Sequence, residues 1–430
     1  MKVLHLIQRF PPAIGGAEAW CAGLAREQAR RGHAVQVLTL SVVEEDELWD
    51  DAPRALSPVA VGRFDLDGGV RVRRCAPSAT PHALVRAAER LGVRVGGRCS
   101  VELFGRALAA AREADVIHLH HCNVVLSFWG FLAARLARRP AVLTPHFHPG
   151  DQTFEQRAAR WLLRRCAAVI AVSPHESALL AARGSLAARI VASTNAFDPP
   201  SFDRQAVPAL RARVRAALGL QPEVALLTYV GRKTEQKELG VLVDAAALVA
   251  RARDAAVVLA GPATAWYRGA RAGFAAGGAR FVDVPAVTEA AKRALLAASD
   301  VIVQPSSREA FGIVFLEAWA AGVPVIGAAA GAVPDVIGRA GLTFRPGDAE
   351  DLARQILQLL GRPDEGAAMA ARGAARLRAA HTWAHLADAV DRAYAIARGG
   401  RSGALAPARV GEVGKPLAEE PLERREDGLG

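Results

Sequence analysis

The feature that most constrains this chain is an opening that it uses twice. Val3–Ile7 is a short, mostly apolar run of strand length, and a Pro/Gly loop, "RFPPAIGG", follows it. A helix is then expected from about Glu18 to Arg31, with Leu24, Gln28 and Arg31 at helical spacing and Gly32 closing it. "AVQVLTL" resumes as a strand. Near Val224 the order restarts: "VALLTYVG" as strand, "RKTEQKELG" as polar loop, "VLVDAAALVARA" as helix, "AAVVLAG" as strand. Strand, glycine loop, helix, strand is the opening unit of a doubly wound sheet, whose ligands sit beyond the C-terminal ends of its strands. Two such units predict an α/β chain of two Rossmann-like domains facing an inter-domain cleft, with the site between them.

Length agrees, since 430 residues exceed one ordinary core and suggest two domains of roughly 150–200 residues. We expect an N-terminal domain over residues 1–200 and a C-terminal one over 201–375. A helix over 376–398 is expected to pack back on the first domain, and residues 399–430 lack an apolar period and read as a disordered tail. "DPPSFDRQAVP" is the linker. Further strands are expected at "VRVRR", "DVIHLHH", "AVLTPH" and "AAVIAVS".

The net charge of +11 makes acidic partners plausible, among them nucleotide phosphates or an anionic membrane. Nucleic acid is not expected, because no basic-aromatic module of the known kinds is present. The cysteines, Cys21, Cys75, Cys99, Cys122 and Cys166, are odd in number and lack a C-x-x-C pair, which argues against a disulfide framework or a zinc site. A cytoplasmic setting fits them. The apolar run at the start is too short for a signal peptide, and no stretch reaches the ~20 residues of a membrane span.

The chemistry concentrates in "DVIVQPSSREAFGIVFLEAWAAG". A buried strand over Asp300–Gln304 leads through a loop to a helix beginning near Phe311 or Gly312. Glu309 then lies in the loop and Glu317 about two turns into the helix. A helix start offers free N–H groups and the positive end of a dipole, a seat for phosphate. Gly312 would let a ligand approach that backbone. A carboxylate further along the helix would accept both hydroxyls of a ribose. The bland alternative is a surface glutamate and a helix cap. Lysine occurs at only five positions, Lys2, Lys233, Lys237, Lys292 and Lys415, and two of them share the loop "GRKTEQK". There Arg232 and Lys237 would neutralise a departing diphosphate, unless the loop is merely a solvated basic turn.

Glu309 to Glu317 resembles the E-x7-E motif of the retaining glycosyltransferases of family 4, which have the GT-B fold. "GGAEAWCAGLAREQARRGHAVQVLT", "TPHFHP", "TNAFD", "GRKTEQK", "GVPVIGAAAGAVPDVI" and "GLTFRPGD" resemble the same family in order and spacing. The likeness covers roughly residues 1–395. It departs at Asn195–Ala196, where the family has Asn-Gly, and at "AG…PD", where it has "GG" before "PE". The resemblance implies that Glu309 contacts the donor sugar and Glu317 the ribose. Arg232 and Lys237 would hold the diphosphate, with Gly312 and Ile313 at the helix start completing the donor site. Gly15 and Gly16 would bring the first loop against donor and acceptor, and His146 would sit beside the transferred sugar.

"VIHLHHC" places His118, His120 and His121 together, but no carboxylate or cysteine stands at a supporting spacing, so no metal is expected. His118 reads as cleft lining or core. "DLD" at 65–67 reads as an ordinary turn into a strand. Arg157, Arg160, Trp161, Arg164 and Arg165 form a basic helix with an aromatic edge, read first as a solvated face and second as peripheral contact with an anionic cytoplasmic membrane surface.

The expected function is therefore metal- and cofactor-free transfer of a hexose from a nucleotide-diphosphate sugar to a hydroxyl of a glycan or glycolipid, with retention of configuration. Two rivals remain: a nucleotide-sugar epimerase of GT-B architecture, and a non-catalytic binding protein.

Overall fold

The computed structural model describes residues 1–43, 61–66, 68–77, 100–147, 154, 156–183, 187–198, 207–276 and 278–399. Most of the linker, the last residue of "DLD", the last two of "TPHFHP" and the tail beyond Gly399 lie outside them.

The first sheet contains β1 (Lys2–Leu6), β2 (Ala34–Leu40), β3 (Gly62–Leu66), β4 (Val70–Cys75), β5 (Val116–His120), β6 (Ala141–Thr144), β7 (Ala168–Ala171) and β8 (Ile190–Ala192), in the order β3-β4-β2-β1-β5-β6-β7-β8. Its pairings are parallel except β3 with β4. The second sheet contains β9 (Ala225–Val230), β10 (Ala255–Ala260), β11 (Arg280–Val284), β12 (Val301–Gln304), β13 (Val325–Ala328) and β14 (Leu342–Phe344). It is wholly parallel, in the order β11-β10-β9-β12-β13-β14. That order reverses between β9 and β12, and the first sheet reverses between β1 and β5. These are the switch points where such sheets bind ligands.

The helices are α1 (Gly16–Arg30), α2 (Val101–Glu113), α3 (Val125–Leu136), α4 (Arg157–Arg165), α5 (Pro174–Ala182), α6 (Val207–Ala217), α7 (Leu239–Ala250), α8 (Ala265–Ala276), α9 (Glu289–Ala298), α10 (Ile313–Ala320), α11 (Val333–Ile337), α12 (Ala349–Gly361), α13 (Pro363–Ala380) and α14 (Trp383–Ala397). Helices cover both faces of each sheet, which is why central strands such as β5 and β10 are buried throughout and rich in branched apolar residues.

Two boundaries differ from the sequence reading. Val207 and Pro208, assigned to the linker, open α6. The single helix expected over 376–398 is instead two. α13 stays with the second domain, where Gly373 lets it close on the Trp319 ring without a Cβ between them. After the break at His381, α14 crosses to the first domain. Its Leu386, Val390 and Tyr394 share a core with Trp20, Leu24, Val142 and Ile170. The crossing is pinned by the Phe197 N–H donating to the His381 carbonyl at 2.9 Å and by a bond between the Thr194 hydroxyl and His381 Nδ1.

Candidate active site

Register and strand period assemble the first half of the site. Val3 and His5 on β1, Val116, His118 and His120 on β5, and Val142 and Thr144 on β6 share one face, because side chains alternate along a strand. The valines lie toward the N-terminal ends, in the core beneath α1 and α14. The histidines and the threonine lie toward the C-terminal ends, at the switch point.

Two residues beyond β6 is His146, nearly buried and held at φ 49°, a left-handed conformation uncommon for a side-chain-bearing residue. Its ring meets Trp20 edge-on at 5.4 Å and stacks on His120 at 5.5 Å. Glu176 anchors the following backbone, since its carboxylate accepts the Phe147 N–H at 2.7 Å and the Val172 N–H at 2.6 Å. Burial pushes the Glu176 carboxyl up to about 7, against those two bonds, which favour the ionised form. His118, read as cleft lining or core, is core, with no exposed surface.

Facing this edge is the loop into α1. Arg9 and Glu18 form a nearly buried ion pair at 2.6 Å. The Glu18 carboxylate occupies the space that a side chain on Gly15 would need. A Cβ on Gly16 would lie 3.8 Å from Ile313 Cδ1 of α10, so the first loop and the start of α10 meet across the cleft.

In the second domain, the loops after β9 and β12 are stitched together. The Ser306 hydroxyl donates to the Gln236 carbonyl at 3.0 Å, and the Ser307 N–H donates to Glu238 at 3.2 Å. Lys237 Nζ donates to Glu309 Oε1. The Glu309 carbonyl accepts the Ala332 N–H at 3.2 Å, and a Cβ on Gly331 would stand 2.7 Å from that oxygen. α10 begins at Ile313, with Gly312 as its N-cap at φ 89°. A Cβ on Gly312 would collide with Phe315 at 2.5 Å, so the glycine is required by the turn itself. Arg232 is half-buried on the same edge, its carbonyl accepting from the Tyr229 hydroxyl at 2.7 Å.

Glu317 lies just over one turn into α10, closer to its start than the sequence suggested. It is 9% exposed, and Lys292 Nζ of α9 donates to it at 2.7 Å. Burial raises the carboxyl above its ordinary range, and the Lys292 charge works against that. Lys292 was missed in sequence because the spacing along one helix says nothing about a neighbouring one. Its signal was the rarity of lysine. Lys233, the other lysine of the basic loop, is fully buried instead. It bonds Asp283 and the Val284 carbonyl, and its ammonium stands 4.9 Å from the Tyr267 ring centre, so it ties its loop to the end of β11 and to α8 away from solvent.

His5, His118 and His120 each bring one ring nitrogen within 4.8 Å of the others, a spacing that suits three metal ligands, and each ring has two nitrogens. All six of those nitrogens are engaged by hydrogen bonds within the protein.

Two family models match the chain. One, described as a glycosyl transferase 4-like domain, matches residues 15–196, and the other, glycosyl transferases group 1, matches residues 225–362. An uncharacterised glycosyltransferase of Methanocaldococcus jannaschii is 25% identical over 78% of this chain and 83% of its own length. A phosphatidyl-myo-inositol mannosyltransferase of Propionibacterium freudenreichii is 31% identical over 66% of this chain and 70% of its own. The match spans about half the length of other curated relatives, such as the D-inositol 3-phosphate glycosyltransferases. Anabaena HepE, solved in complex with UDP-glucose, matches with a TM-score of 0.69 at 21% identity, over 91% of this chain and 98% of that one. At that identity the likeness concerns the fold.

Proposed function

The chain belongs to the group 1 glycosyltransferases of GT-B fold, and from that premise we propose that it moves a hexose from a nucleoside-diphosphate donor to an acceptor hydroxyl with retention and without a metal ion. The observation that carries the reading is the contact of Lys237 with Glu309 beside the start of α10. It sets a cation and a carboxylate together at a helix N-terminus, where phosphate is favoured.

In this reading the diphosphate lies against Gly312 and Ile313, with Arg232 and Lys237 on its oxygens. Glu317, steadied by Lys292, accepts the ribose hydroxyls. Glu309 faces the sugar, and His146 approaches it from the first domain. The glycosidic C–O bond to the diphosphate breaks, and the acceptor oxygen bonds the same carbon from the same face. The acceptor's proton passes to the departing phosphate oxygen. Cations fixed at that oxygen stabilise charge as it develops, at little reorganisation cost.

The mannosyltransferase relative points to a glycolipid or glycan acceptor, and HepE makes a uridine diphosphate sugar the first donor to test. Among the described residues no helix is long and apolar enough to cross a membrane. α4 buries Ala158, Ala159, Leu162 and Leu163 and exposes Trp161 among its arginines, and Leu132 and Leu136 of α3 are exposed as well. That basic, partly apolar surface supports peripheral contact with an anionic lipid face, at the cytoplasmic side. The four described cysteines are buried thiols outside any disulfide, as a reducing compartment allows.

The test is product analysis in chelator with a panel of nucleotide sugars and glycolipid acceptors. Acceptor-dependent donor consumption giving a product of unchanged anomeric configuration is expected. An inverted product would end the same-face mechanism, and donor turnover without acceptor would favour an epimerase.

A further inference from the structure

The peptide that follows His146 is held by a carboxylate from a helix. Ser173 is the N-cap of α5, and its hydroxyl accepts the Glu176 N–H at 3.1 Å. Glu176 therefore stands three residues after a serine N-cap, where a glutamate ordinarily reaches back to the cap's own N–H. Here it reaches elsewhere. Its Oε1 accepts the Phe147 N–H at 2.7 Å and its Oε2 the Val172 N–H at 2.6 Å, so one side chain ties the loop after β6 to the end of β7. Arg183, just past the end of α5, lays its guanidinium over the Phe147 ring at 4.7 Å.

The Glu176 carboxylate is buried, and among the described residues no cation is paired with it. The two N–H bonds alone oppose the cost of that burial. Capping α5 does not require such a charge, because Ser173 already supplies a cap. The bonds serve the loop instead. The Phe147 N–H lies in the peptide plane that ψ of His146 sets, and His146 is held at φ 49°, a conformation that persists where its surroundings over-determine it. With that plane bonded to Glu176, both backbone angles of His146 are fixed, and its ring is directed at Trp20 and His120.

We propose that Glu176 is a positioning residue that, when ionised, locks the His146 backbone in the left-handed turn that presents the imidazole to the cleft, and that protonation opens the lock. The catalytic consequence rests on the reading of His146 as a residue of the transferase cleft, whereas the lock itself does not. A protonated carboxyl has one oxygen that donates, so one of the two N–H groups loses its partner. Burial brings the titration of Glu176 up to about 7, so the lock is closed above that pH and opens below it. The titratable or charged side chains around it, among the described residues, are His146 with His121 against it, and His175 and Arg183 at its own helix. β7 and β8, against which α5 packs, carry none.

The experiment compares wild type, Glu176→Gln and His146→Gln, by kinetics and by the amide signal of Phe147. That signal is read with selective ¹⁵N-phenylalanine labelling and assigned through Phe147→Leu. A glutamine side chain has one accepting and one donating end, so Glu176→Gln imitates the protonated form at every pH. In the wild type the Phe147 amide should be protected from exchange at pH 8, and its signal should move with a midpoint of about 7. Kinetics use the nucleotide sugar and glycolipid acceptor that turn over fastest in the product analysis. At pH 8 the kcat of Glu176→Gln should fall about 10–100-fold with donor KM little changed, the range for a catalytic group displaced by roughly 1 Å. The wild-type loss of kcat below about pH 7 should be absent from this variant. Because Glu176 acts through His146, adding Glu176→Gln to His146→Gln should lower kcat no further. A glutamate that serves only the fold would lower the melting temperature and leave kcat alone. Unchanged kcat in Glu176→Gln, with kcat impaired in His146→Gln, overturns the proposal by itself; unchanged kcat in both overturns the reading of His146 as well. If Glu176→Gln does not fold, the wild type decides: a Phe147 amide that exchanges freely at pH 8, or a signal unmoved between pH 8 and 6, overturns the lock.

Discussion

The two domains bring opposite chemistry to the same kind of place. Beneath the β1/β5 switch point the buried polar groups are imidazoles, an amide and hydroxyls, bonded to one another in a line, with one ion pair, Arg9–Glu18, in the loop that faces them. Around the β9/β12 switch point they are full charges, with Lys237 on Glu309 and Lys292 on Glu317. A buried neutral network specifies where protons are, because each member has a fixed complement of donors and acceptors. Paired charges do something else. A cation held beside a carboxylate keeps its charge at a fixed point, ready to be shared with an anion that arrives. In the proposed function, the first domain orients a hydrogen bond and the second holds a diphosphate.

The sharpest way to break this contrast is to remove the charge nearest the start of α10. Lys237→Ala should cut turnover by about 10²–10³, as loss of one charge-stabilising donor does. Unchanged steady-state rates would make the loop a solvated turn.

Acid should strike the other domain. His5 is held down to about 4, as is His381 at the domain crossing, and His118 and His120 lie well below their ordinary value. Between pH 6.5 and about 4 the unfolded chain binds protons that these folded rings refuse, so stability falls as pH is lowered through that window. For His5 alone, the shift from 6.5 to about 4 corresponds to about 3 kcal/mol. His33 is lowered by burial as well, and Glu176 and Glu317, whose carboxyls are raised, act in the opposite sense, two groups against five. Denaturant midpoints from pH 7.5 to 4.5 should therefore drop steeply below 6.5, and a flat profile would mean that the histidines titrate freely.

The two glutamates sharpen the picture within the charged edge. Glu317→Gln should weaken donor binding by about 10–150-fold, the range for a charge-assisted pair worth roughly 1.5–3 kcal/mol. Glu309→Gln should lower kcat more than apparent affinity, as loss of a transition-state contact does. Kinetics with varied donor at saturating acceptor separate them. If both variants keep their kinetics and lose only thermal stability, the carboxylates serve the fold.

The repeated opening was readable because β-strand runs, glycine loops and helical periods are local signals. The strand segments expected around β1, β2, β4, β5, β6, β7, β9, β10 and β12 all form. β3, β8, β11, β13 and β14 were not assigned, and several of them are edge or three-residue strands whose pairing, more than their composition, defines them. Within the site, Glu309 and Glu317 stood out because carboxylates flank an apolar run. Lys237, the partner of Glu309, stood out as well, but the partner of Glu317 did not. Lys292 is 25 residues from Glu317 and on another helix. His5 reads as an isolated polar residue in a strand, and Tyr394 lies 366 residues from the Gln28 it holds. Such pairings follow from register and from the return of α14, which no local pattern encodes.

The central claim is that the charged edge of the second domain holds a nucleoside diphosphate unaided by metal. Titration calorimetry of the full chain with uridine, adenosine and guanosine diphosphates, in excess chelator, tests it directly. The account predicts saturable binding of at least one of them that survives the chelator and weakens in Lys237→Ala. Binding that appears only when a divalent ion is restored, or that ignores the loss of Lys237, would contradict it.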